Sequence, residues 1–556
     1  MSAPQANPAS PTFTRTQWER LKTYGEAHDV QAGEWLFRAG EVSCDLILVE
    51  RGRTEILRRG QGDDPGTVVA SYGPGQFSGE LNLLTGQATY LDSRVAEAGA
   101  VYRVGPDAFR RLMSSDGELS DVVLRALLAR RQVLRANEGA RSVELLGAET
   151  SAAALALRTY VARQQLPHTW TDIESPAGRA LALAANLTAD DLPAVVTATA
   201  VLKRATPGEL AEHLGYSYHP RPGQLLDVVV VGGGPAGLAA AVYGASEGLD
   251  TLLLDTVATG GQAAASSRIE NYLGFTSGIS GAELTGRATI QAQKFGARIA
   301  SPCQVARLDT ESGDHLRVVL EDGTPIDTRA VVIASGARYK ALPLERWSEF
   351  EGAGIYYAAT ELEARACGPN PAAVVGGANS AGQAALYLAE RGSPVTLVVR
   401  GADLYAGMSA YLADRIVDHP RVKVRTSAQV TALHGDTSLE RIDISGTDPD
   451  GNAYTREQAC VGLFCFIGAT PATEWMTGIA ADRRGFILTD ARVDDTELGE
   501  AWQKLGRRPL PFETSQPGVF AAGDVRAGSM KRVAAAVGEG ASAISSVHSA
   551  LGTTGV

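Results

Sequence analysis

The spacing of apolar residues changes along the chain, and the first stretch has the pattern of short strands. Between residues 11 and 115, apolar runs such as DLILVERGRTEIL alternate with glycine turns, which is typical of a small all-β roll or barrel. Residues 118–137 then place apolar side chains at helical spacing, with arginines on the opposite face. We therefore predict a β-roll with a C-terminal helix over residues 11–140.

Strand and helix patterns alternate in the next stretch, residues 143–215. The strand patterns are VELLG, HTWTDI, PAVVTA and AVLKRA, and the helix patterns begin at SAAALALRT, AGRALALAA and TPGELAEHL. Such alternation predicts a small α/β layer. We assign it to residues 141–222, ending in the Pro- and Gly-containing linker YSYHPRPGQ.

A larger α/β pattern begins at residue 226 and contains two strand–glycine turn–helix signals, DVVVVGGGPAGLAAA and AAVVGGANSAGQAA. The predicted fold is therefore multidomain, with the β-roll, the small α/β domain and two Rossmann-like dinucleotide-binding domains. We assign residues 223–350 and 466–556 to the first dinucleotide domain and 351–465 to the second. Residues 1–10, rich in Pro, Ala and Ser, are expected to be disordered.

The first glycine motif has the context that a phosphate-binding turn requires. Gly232 permits a tight turn, Gly234 lets the backbone approach a pyrophosphate, and Gly237 lets the helix pack close to the strand. Pro235 and Ala236 open that helix, whose N-terminal N–H groups attract phosphate.

An acidic residue completes this motif. Asp255 ends the second strand of the unit, 23 residues after Gly232, where a carboxylate can accept a hydrogen bond from a ribose hydroxyl. The pattern predicts a bound dinucleotide, and a glycine-rich turn without a ligand is the alternative.

Downstream segments identify the type of dinucleotide protein. TGGQ, IENYLGF, VVIASGA and TSQPGVFAAGD resemble, in order and spacing, the thioredoxin-reductase-like flavoproteins over residues 226–556. The resemblance implies FAD, with an aspartate of the last segment at the ribityl chain. The further residues that it places beside FAD are Gly261, Gln262, Asn271, Gly336, Gly523, Asp524, Arg532, Val533 and Ala534.

The second glycine motif departs from the usual pattern. Gly376 holds the first position, but Ala378 and Ala381 stand at the second and third. Alanine is tolerable at the third, where only helix–strand packing is at stake, whereas the methyl group of Ala378 stands near the pyrophosphate. We include Asn379 and Ser380, which lie between them, in this predicted NAD(P) site.

The end of the next strand bears on the choice of nicotinamide cofactor. Val399 occupies the position equivalent to Asp255, and Arg400 follows it, so an arginine is available for a 2′-phosphate. NADPH-using members of the resembling family have a double arginine with a third a few residues on, whereas here those positions read Arg400, Gly401 and Tyr405. The sequence favours NADPH over NADH, and a weakened or lost nicotinamide site is a third alternative.

The dithiol of the resembling family is missing. Thioredoxin reductases of this kind open the nicotinamide domain with Y-C-A-T-C, and the matching segment here reads Tyr357, Ala358, Ala359, Thr360 and Glu361. Thiol–disulfide exchange needs a thiolate at each step, so Ala358 and Glu361 cannot carry it, and we assign no catalytic residue there. Electrons would then leave the flavin directly for an external acceptor, for which a ferredoxin, a quinone-like compound and a small disulfide are candidates.

The five cysteines give no other redox or metal motif. They are odd in number and contain no C-x-x-C pair, which argues against a disulfide framework and a zinc site. We interpret Cys367, Cys460 and Cys465 as structural.

The β-roll resembles the cyclic-nucleotide-binding roll, in which a G-E-L turn and a downstream arginine hold the ribose and cyclic phosphate. Gly79–Leu81 matches the turn, but the arginine position falls on Thr89 or Tyr90, and the nearest arginine is Arg94. Without that charge-assisted contact we expect a degenerate roll used for packing or protein contact, with cyclic-nucleotide binding as the alternative.

The domain at 141–222 resembles a glutaredoxin-like fold. GAETSAA stands where such folds carry C-x-x-C, and Pro193 stands where they place a cis-proline. Residues 45–302 contain no cysteine, so we expect a docking or scaffold role without dithiol chemistry.

Charge and hydropathy exclude several classes. A net charge of −12 argues against nucleic-acid and anionic-membrane partners, and no apolar run is long enough to span a bilayer. The first residues lack the apolar stretch of a signal peptide, so we expect a cytoplasmic protein, and a homodimer. The leading hypothesis is an FAD-dependent NAD(P)H oxidoreductase; a flavin-binding redox sensor coupled to the roll and a true thioredoxin reductase are the alternatives.

Overall fold

The fold is given by a computed structural model of the 556-residue chain. It describes residues 8–41, 44–58, 66–80, 82–85, 88–89, 91–136, 143–164, 166–197, 199–266, 269, 272–310, 315–357, 359, 361–448 and 451–552. Of the residues singled out in the sequence, those that lie outside the described ones are 1–7, Leu81, Tyr90, Asn271, Ala358 and Thr360.

The N-terminal unit is an antiparallel roll followed by helices. Its elements are α1 (Arg15–Lys22), β1 (Glu26–Val30), β2 (Trp35–Phe37), β3 (Leu46–Arg58), β4 (Thr67–Tyr72), β5 (Gln76–Ser78), α2 (Asn82–Thr85), β6 (Asp92–Val104), α3 (Pro106–Ser115) and α4 (Gly117–Ala136). The long strands β3 and β6 pair with each other; β4 and β5 also pair with β3, and β1 and β2 with β6. The predicted strands and the C-terminal helix are confirmed. Strand β1 was not predicted, because four of its five residues are exposed and it lacks apolar alternation.

The first residues that the structure describes, 8–10, contact the roll. Arg130 Nε donates to the carbonyl oxygen of Ala9 at 2.8 Å, and Gln76 Nε2 donates to Ser10 Oγ at 2.9 Å. Both hydrogen bonds join residues 9 and 10 to the roll and its C-terminal helix, and disorder of residues 1–10 stays a prediction.

The second unit is the four-stranded layer that the alternating pattern predicted. Its elements are β7 (Val143–Gly147), α5 (Ala152–Arg163), β8 (His168–Asp172), α6 (Pro176–Ala184), β9 (Ala194–Thr197), β10 (Val201–Leu202) and α7 (Pro207–His213). The strand order is β10-β9-β7-β8, with β7 and β8 parallel and the other pairs antiparallel. Ser151 caps α5 by accepting from the N–H of Ala154, and the Leu192–Pro193 peptide directly before β9 is cis.

The rest of the chain forms two larger α/β units. Up to residue 333 the elements are β11 (Leu225–Val231), α8 (Pro235–Ser246), β12 (Thr251–Leu254), α9 (Gly281–Lys294), β13 (Arg298–Ala300), β14 (Val305–Asp309), β15 (Leu316–Leu320) and β16 (Pro325–Ile333). Beyond it they are β17 (Ala337–Tyr339), α10 (Trp347–Phe350), β18 (Ile355–Tyr356), α11 (Glu361–Cys367), β19 (Ala372–Val375), α12 (Asn379–Glu390), β20 (Val395–Val398), α13 (Ala410–Val417), β21 (Val422–Arg425), β22 (Ala428–Gly435), β23 (Leu439–Thr447), β24 (Ala453–Ala459), β25 (Gly462–Cys465), β26 (Ala469–Pro471), α14 (Glu500–Leu505), β27 (Val519–Ala521) and α15 (Val533–Leu551).

Two sheets organise these elements. The first has the order β13-β12-β11-β16-β15-β14, and β27 joins it beside β16 when the chain returns near its end. The second is a parallel sheet of order β18-β25-β19-β20-β21, flanked by the antiparallel sheet β22-β23-β24. Valines, leucines and alanines of the parallel strands are buried, as expected for sheets covered by helices on both faces. Among the described helices, none has the length and hydropathy to cross a membrane.

Candidate functional site

A large cavity lies at the carboxyl ends of β11, β12, β16 and β27, which is where ligands bind in open parallel sheets. Its volume is about 1110 Å³. Predicted FAD residues that line it are Gly232, Gly234, Pro235, Ala236, Asp255, Gly261, Gln262, Gly336, Gly523, Asp524, Arg532 and Val533. Gly237 does not line it, in keeping with its predicted role in packing.

The three motif glycines have three different physical reasons to lack a side chain. Gly232 has φ 110°, and a Cβ on it would lie 2.3 Å from the carbonyl oxygen of Ala334. A Cβ on Gly237 would lie 1.8 Å from the carbonyl oxygen of Gly232, so the close helix–strand packing depends on that glycine. A Cβ on Gly234 would meet no atom within 4 Å, since the position faces the cavity. The open space beside Gly234 is where the motif would bring a pyrophosphate against the backbone.

The Asp255 carboxylate shapes the loop that it borders. Its Oδ2 accepts from the N–H of Gly233 at 2.7 Å, and its Oδ1 accepts from the N–H groups of Val257 and Ala258 at 2.9 and 3.0 Å. Burial raises the pKa of Asp255, while these three hydrogen bonds oppose the rise. Each carboxylate oxygen can accept more than one hydrogen bond, so a ribose hydroxyl in the cavity still has an acceptor.

The segment between β27 and α15 supplies a further part of the cavity wall. The N–H of Gly523 donates to Glu539 Oε2 at 2.8 Å, and Arg526 Nη2 lies 2.8 Å from Glu539 Oε1, which fixes the turn. Burial raises the pKa of the neighbouring Asp524 carboxyl group. Helix α15 begins at Val533 on the cavity, so its N-terminal N–H groups face that space. Ala534 is exposed and does not line the cavity, unlike the other predicted residues of this segment.

Two further turns line the cavity beside the glycine motif. Gln262 Nε2 donates to the carbonyl oxygen of Ala337 at 2.5 Å, which ties the TGGQ turn to the segment after β16. Gly261 has φ 52°, and a Cβ on it would lie 2.9 Å from Gly234 Cα. A glycine is therefore needed where the two turns pass each other. The volume of the cavity, the open space beside Gly234 and the N-termini of α8 and α15 fit a dinucleotide such as FAD.

The second glycine turn is packed as tightly as the first. Gly376 has φ 148°, and a Cβ on it would lie 2.5 Å from the carbonyl oxygen of Phe466 and 3.0 Å from Ala381 Cβ. Ala381 is fully buried, so alanine fits at the third motif position. Ala378 caps α12 without a side-chain hydrogen bond, and Asn379 Oδ1 accepts from the N–H of Ser409 at 2.8 Å. Ser380 lines the large cavity.

Two arginines lie at the carboxyl ends of adjacent strands beside this turn. Arg400 is exposed just after β20, and Arg425 ends β21, where it is the register partner of Val398. Neither arginine forms a side-chain hydrogen bond or ion pair with the described residues. Sequence reasoning missed Arg425, because the pairing of β20 with β21 brings it beside Arg400. The hydroxyl group of Tyr405 is instead committed to Asp414 Oδ1 at 2.9 Å.

Glu361, at the second cysteine position of the reductase motif, is held in ion pairs. As the first residue of α11 it lies 3.0 Å from Arg365 Nε and 2.7 Å from Arg391 Nη2. Its hydrogen bond with Arg391 is the main reason that its pKa lies below the usual range.

None of the five cysteines has the environment of a reactive thiol. All are free, and Cys367, Cys460 and Cys465 are buried, which confirms their interpretation as core residues. Burial raises the pKa of Cys303 and of Cys367 to about 12, so the thiolate form is disfavoured. Cys303 lines the cavity, a position that the sequence did not indicate.

A hydrogen-bonded group beside the segment that resembles the reductase dithiol motif was not predicted from the sequence. Tyr357 and Glu351 line the cavity, and the Tyr357 hydroxyl donates to Glu351 Oε1 at 2.5 Å. Trp347 Nε1 donates to the Tyr357 oxygen at 2.9 Å. Burial, followed by the bond to Glu351, raises the pKa of Tyr357. Together they place an O–H group at the cavity wall.

The roll has its own cavity of about 350 Å³. Glu80 lines it, and both of its carboxylate oxygens are buried without a hydrogen-bond partner among the described residues, so burial raises the pKa of Glu80. Arg94 lies outside the lining and pairs with Glu55, while Thr89 is in the lining. Arg130 of α4 also lines this cavity, and sequence reasoning missed it. Its Nη2 donates to the carbonyl oxygen of Phe77 at 2.8 Å.

One group of side chains has the composition of a metal site, although the sequence predicted none. His434, Asp443 and Glu457 have ligand atoms within 4.8 Å of one another on the antiparallel sheet. His434 Nε2 lies 3.3 Å from Asp443 Oδ1, and Arg441 Nη1 lies 3.5 Å from Glu457 Oε1.

Comparison with known proteins agrees with this geometry. Residues 226–540 match the family described as pyridine nucleotide-disulphide oxidoreductase. The chain belongs to that family. Members of this oxidoreductase family bind FAD and NADPH. Residues 27–116 match the cyclic nucleotide-binding domain, which gives the roll its family.

The oxidoreductase part is similar to thioredoxin reductases. It is 32% identical to the thioredoxin reductase of Treponema pallidum over 59% of this chain and 97% of that protein. It is 31% identical to the thioredoxin reductase of Bacillus subtilis over 58% of this chain and 94% of that protein. Among solved structures, the thioredoxin reductase of T. acidophilum matches with a TM-score of 0.50 and 28% identity over 58% of this chain and 98% of that one.

Proposed function

We propose that this family member is an FAD-dependent NAD(P)H oxidoreductase whose electrons leave the cofactor for an external acceptor, without an internal dithiol. The observation that carries the proposal is a dinucleotide cavity whose neighbouring reductase-motif position is Glu361, a carboxylate held by Arg365 and Arg391. A carboxylate in ion pairs cannot undergo thiol–disulfide exchange. The buried cysteines, with raised pKa values, offer no substitute.

The residues of the first cavity have distinct roles in this proposal. Bound FAD supplies hydride chemistry between a nicotinamide and the acceptor. Gly234 and the N-terminus of α8 bind the pyrophosphate, Asp255 accepts from the ribose of the adenosine, and Asp524 contacts the ribityl chain. Gln262 and Gly336 border the ring system.

For the nicotinamide cofactor we propose NADPH. Arg400 and Arg425 lie on adjacent strand ends and have no other side-chain partner among the described residues. Two guanidinium groups there suit a 2′-phosphate, and Val399 offers no carboxylate for a 2′-hydroxyl.

For the acceptor we propose a ferredoxin, a quinone-like compound or a small disulfide. Reduction of a quinone-like compound or of a disulfide requires a hydride equivalent and a proton. The hydroxyl group of Tyr357, held by Glu351 at the cavity wall, is suited to hold that proton. Several relatives are named thioredoxin reductases, so thioredoxin is the competing candidate for the acceptor.

The small α/β unit supports a scaffold role in this proposal. Its strand order β10-β9-β7-β8 and the proline before β9 are consistent with the glutaredoxin-like resemblance. Without a cysteine the small α/β unit would not relay electrons.

We also propose that the protein is a homodimer, which light scattering coupled to gel filtration can check.

A second function, a flavin-binding redox sensor read out through the roll, is favoured by one observation. The buried Glu80 carboxylate faces a cavity and has no hydrogen-bond partner among the described residues.

The decisive experiment is anaerobic mixing of the purified yellow protein with NADPH or NADH, followed by a panel of acceptors. Bleaching of the flavin absorbance within seconds, followed by reoxidation by a non-thiol acceptor, supports the enzyme. Absence of bleaching with both nucleotides supports the sensor. Rapid turnover with thioredoxin would overturn the proposal that the protein works without an internal dithiol.

A further inference from the structure

Helix α5 borders the FAD cavity although it belongs to the small α/β unit. Leu155 and Arg163 of this helix line the cavity together with the glycine motif and Asp255. The match to the oxidoreductase family begins only at residue 226. The cavity wall is therefore built in part by a unit that lies outside the family's own fold.

Both ends of α5 are fastened to the oxidoreductase part. At the first end, a Cβ on Gly352 would lie 3.3 Å from Ala152 Cβ, and Leu155 packs against the core of the second dinucleotide sheet. At the other end, Tyr160 donates to the carbonyl oxygen of Ser301 at 3.3 Å. Gln164, just after the helix, donates to Ser301 Oγ at 2.6 Å. Twelve residues of α-helix span about 18 Å, so α5 runs beside the cavity instead of touching it at one point.

Arg163, the last residue of α5, carries a charge that the described protein does not pair. Its side chain is half-buried, lines the cavity and forms no hydrogen bond or ion pair with the described residues. Asp255 lines the same cavity; burial raises the pKa of Asp255, and its backbone hydrogen bonds and then the charge of Arg163 oppose that rise. A half-buried guanidinium group is stabilised most by an anion that accepts in its plane, such as a phosphate.

We propose that α5 is a wall of the FAD site and that Arg163 binds the pyrophosphate of its adenosine diphosphate half. This inference rests on the proposed function, since it assumes FAD in the first dinucleotide cavity. It gives the small α/β unit a purpose that needs no cysteine, because the unit holds the cofactor in place.

The test compares two arginines of the same unit in the full-length protein. Arg163→Gln removes the proposed phosphate contact, and Arg179→Gln removes an exposed arginine of α6 that lies 3.7 Å from Glu174. FAD is removed, and its dissociation constant is measured by quenching of flavin fluorescence on rebinding. Loss of charge-assisted hydrogen bonds predicts a dissociation constant about 10- to 100-fold higher for Arg163→Gln, no change for Arg179→Gln, and an intermediate value for Arg163→Lys. Circular dichroism of the three apoproteins shows whether each is folded.

The outcomes separate this inference from the proposed function. If the wild-type protein does not bind FAD, the proposed function fails. If the wild-type protein binds FAD and Arg163→Gln binds it equally well, only the inference about Arg163 is overturned. If Arg163→Gln does not fold, amide hydrogen exchange of the wild-type protein provides a second test. FAD added to the wild-type apoprotein should slow exchange in residues 152–163. Unchanged exchange there would overturn the proposal that α5 forms a wall of the FAD site.

Discussion

Glu361 Oε2 lies 2.7 Å from Arg391 Nη2, so an ion pair stands at the position that the sequence resemblance to thioredoxin reductases assigns to the second cysteine. Arg365 adds a second contact from the next turn of α11. The Glu361 carboxylate forms ion pairs with both arginines, and a carboxylate cannot take part in thiol–disulfide exchange. Both contacts lie at the protein surface, where Glu361 is half-exposed.

Replacing Glu361 by Gln should change stability only slightly. Half-exposed ion pairs contribute up to about 1 kcal/mol, so the free energy of unfolding should fall by no more than that. Because the folded-state pKa of Glu361 is lowered, its contribution is present above the unfolded-state pKa and is lost as the pH falls through the folded-state pKa. Urea unfolding of wild type and variant should therefore converge under acidic conditions. A large loss of NADPH oxidation in this variant would contradict the proposal that position 361 is outside the electron path.

Turnover should be insensitive to thiol chemistry. Burial raises the pKa of Cys303 and Cys367 to about 12, so alkylating reagents find little thiolate at neutral pH. Treatment with iodoacetamide, and the substitution Cys303→Ser, should each leave NADPH oxidation with a non-thiol acceptor within about twofold. The control is a thioredoxin reductase with its dithiol, reduced by NADPH and then treated in the same way. A tenfold loss here would point to a cysteine in the electron path.

Alanine substitutions of the glycines in the first motif should have different effects on stability and on FAD binding. Gly237→Ala places a methyl group 1.8 Å from a carbonyl oxygen, and such overpacking should lower the free energy of unfolding by about 3 kcal/mol. Gly234→Ala meets open cavity, so the apoprotein should keep its stability while FAD binds more weakly. Gly538→Ala, in α15 with no atom within 4 Å of its Cβ, is the matched control and should be neutral or slightly stabilising. Thermal unfolding of the apoproteins and FAD titration separate these cases. Equal behaviour of Gly234→Ala and Gly237→Ala would contradict the assignment of separate roles.

Local patterns predicted the framework well, because each depends on neighbours in sequence. The turn at Gly232 and the helix starts at Ser151 and Pro235 follow from backbone geometry, so the glycine motifs and most helices could be predicted. Arg163 and Arg425 could not, because their positions depend on contacts between units and on strand pairing. Similarly, Arg130 reaches the roll cavity only because α4 packs back on it, and no spacing rule predicts that.

The two strand-end arginines should determine nucleotide choice. Arg400→Ala and Arg425→Ala should each raise KM for NADPH about tenfold, since each removes a charge-assisted contact to the 2′-phosphate. KM for NADH, which lacks that phosphate, should change little and serves as the control within each variant. Steady-state rates with a fixed small-molecule acceptor give both values. If both KM values rise together, the arginines support the fold and not the phosphate.

The Glu80 carboxylate gives the roll a pH dependence that reports whether its cavity is filled. Burial raises the folded-state pKa of Glu80, so the folded protein holds this proton more tightly than the unfolded chain. Stability should therefore fall as pH rises from the unfolded-state pKa through the folded-state pKa. Glu80→Gln should remove that slope and raise the free energy of unfolding by about 1 kcal/mol near neutral pH, whereas Glu97→Gln, at an exposed ion pair with Arg53, should do neither. Since the roll lacks an arginine at the expected phosphate position, calorimetric titration with cyclic AMP should show no heat in either background. Micromolar binding by wild type that Glu80→Gln abolishes would instead establish the roll as a nucleotide sensor.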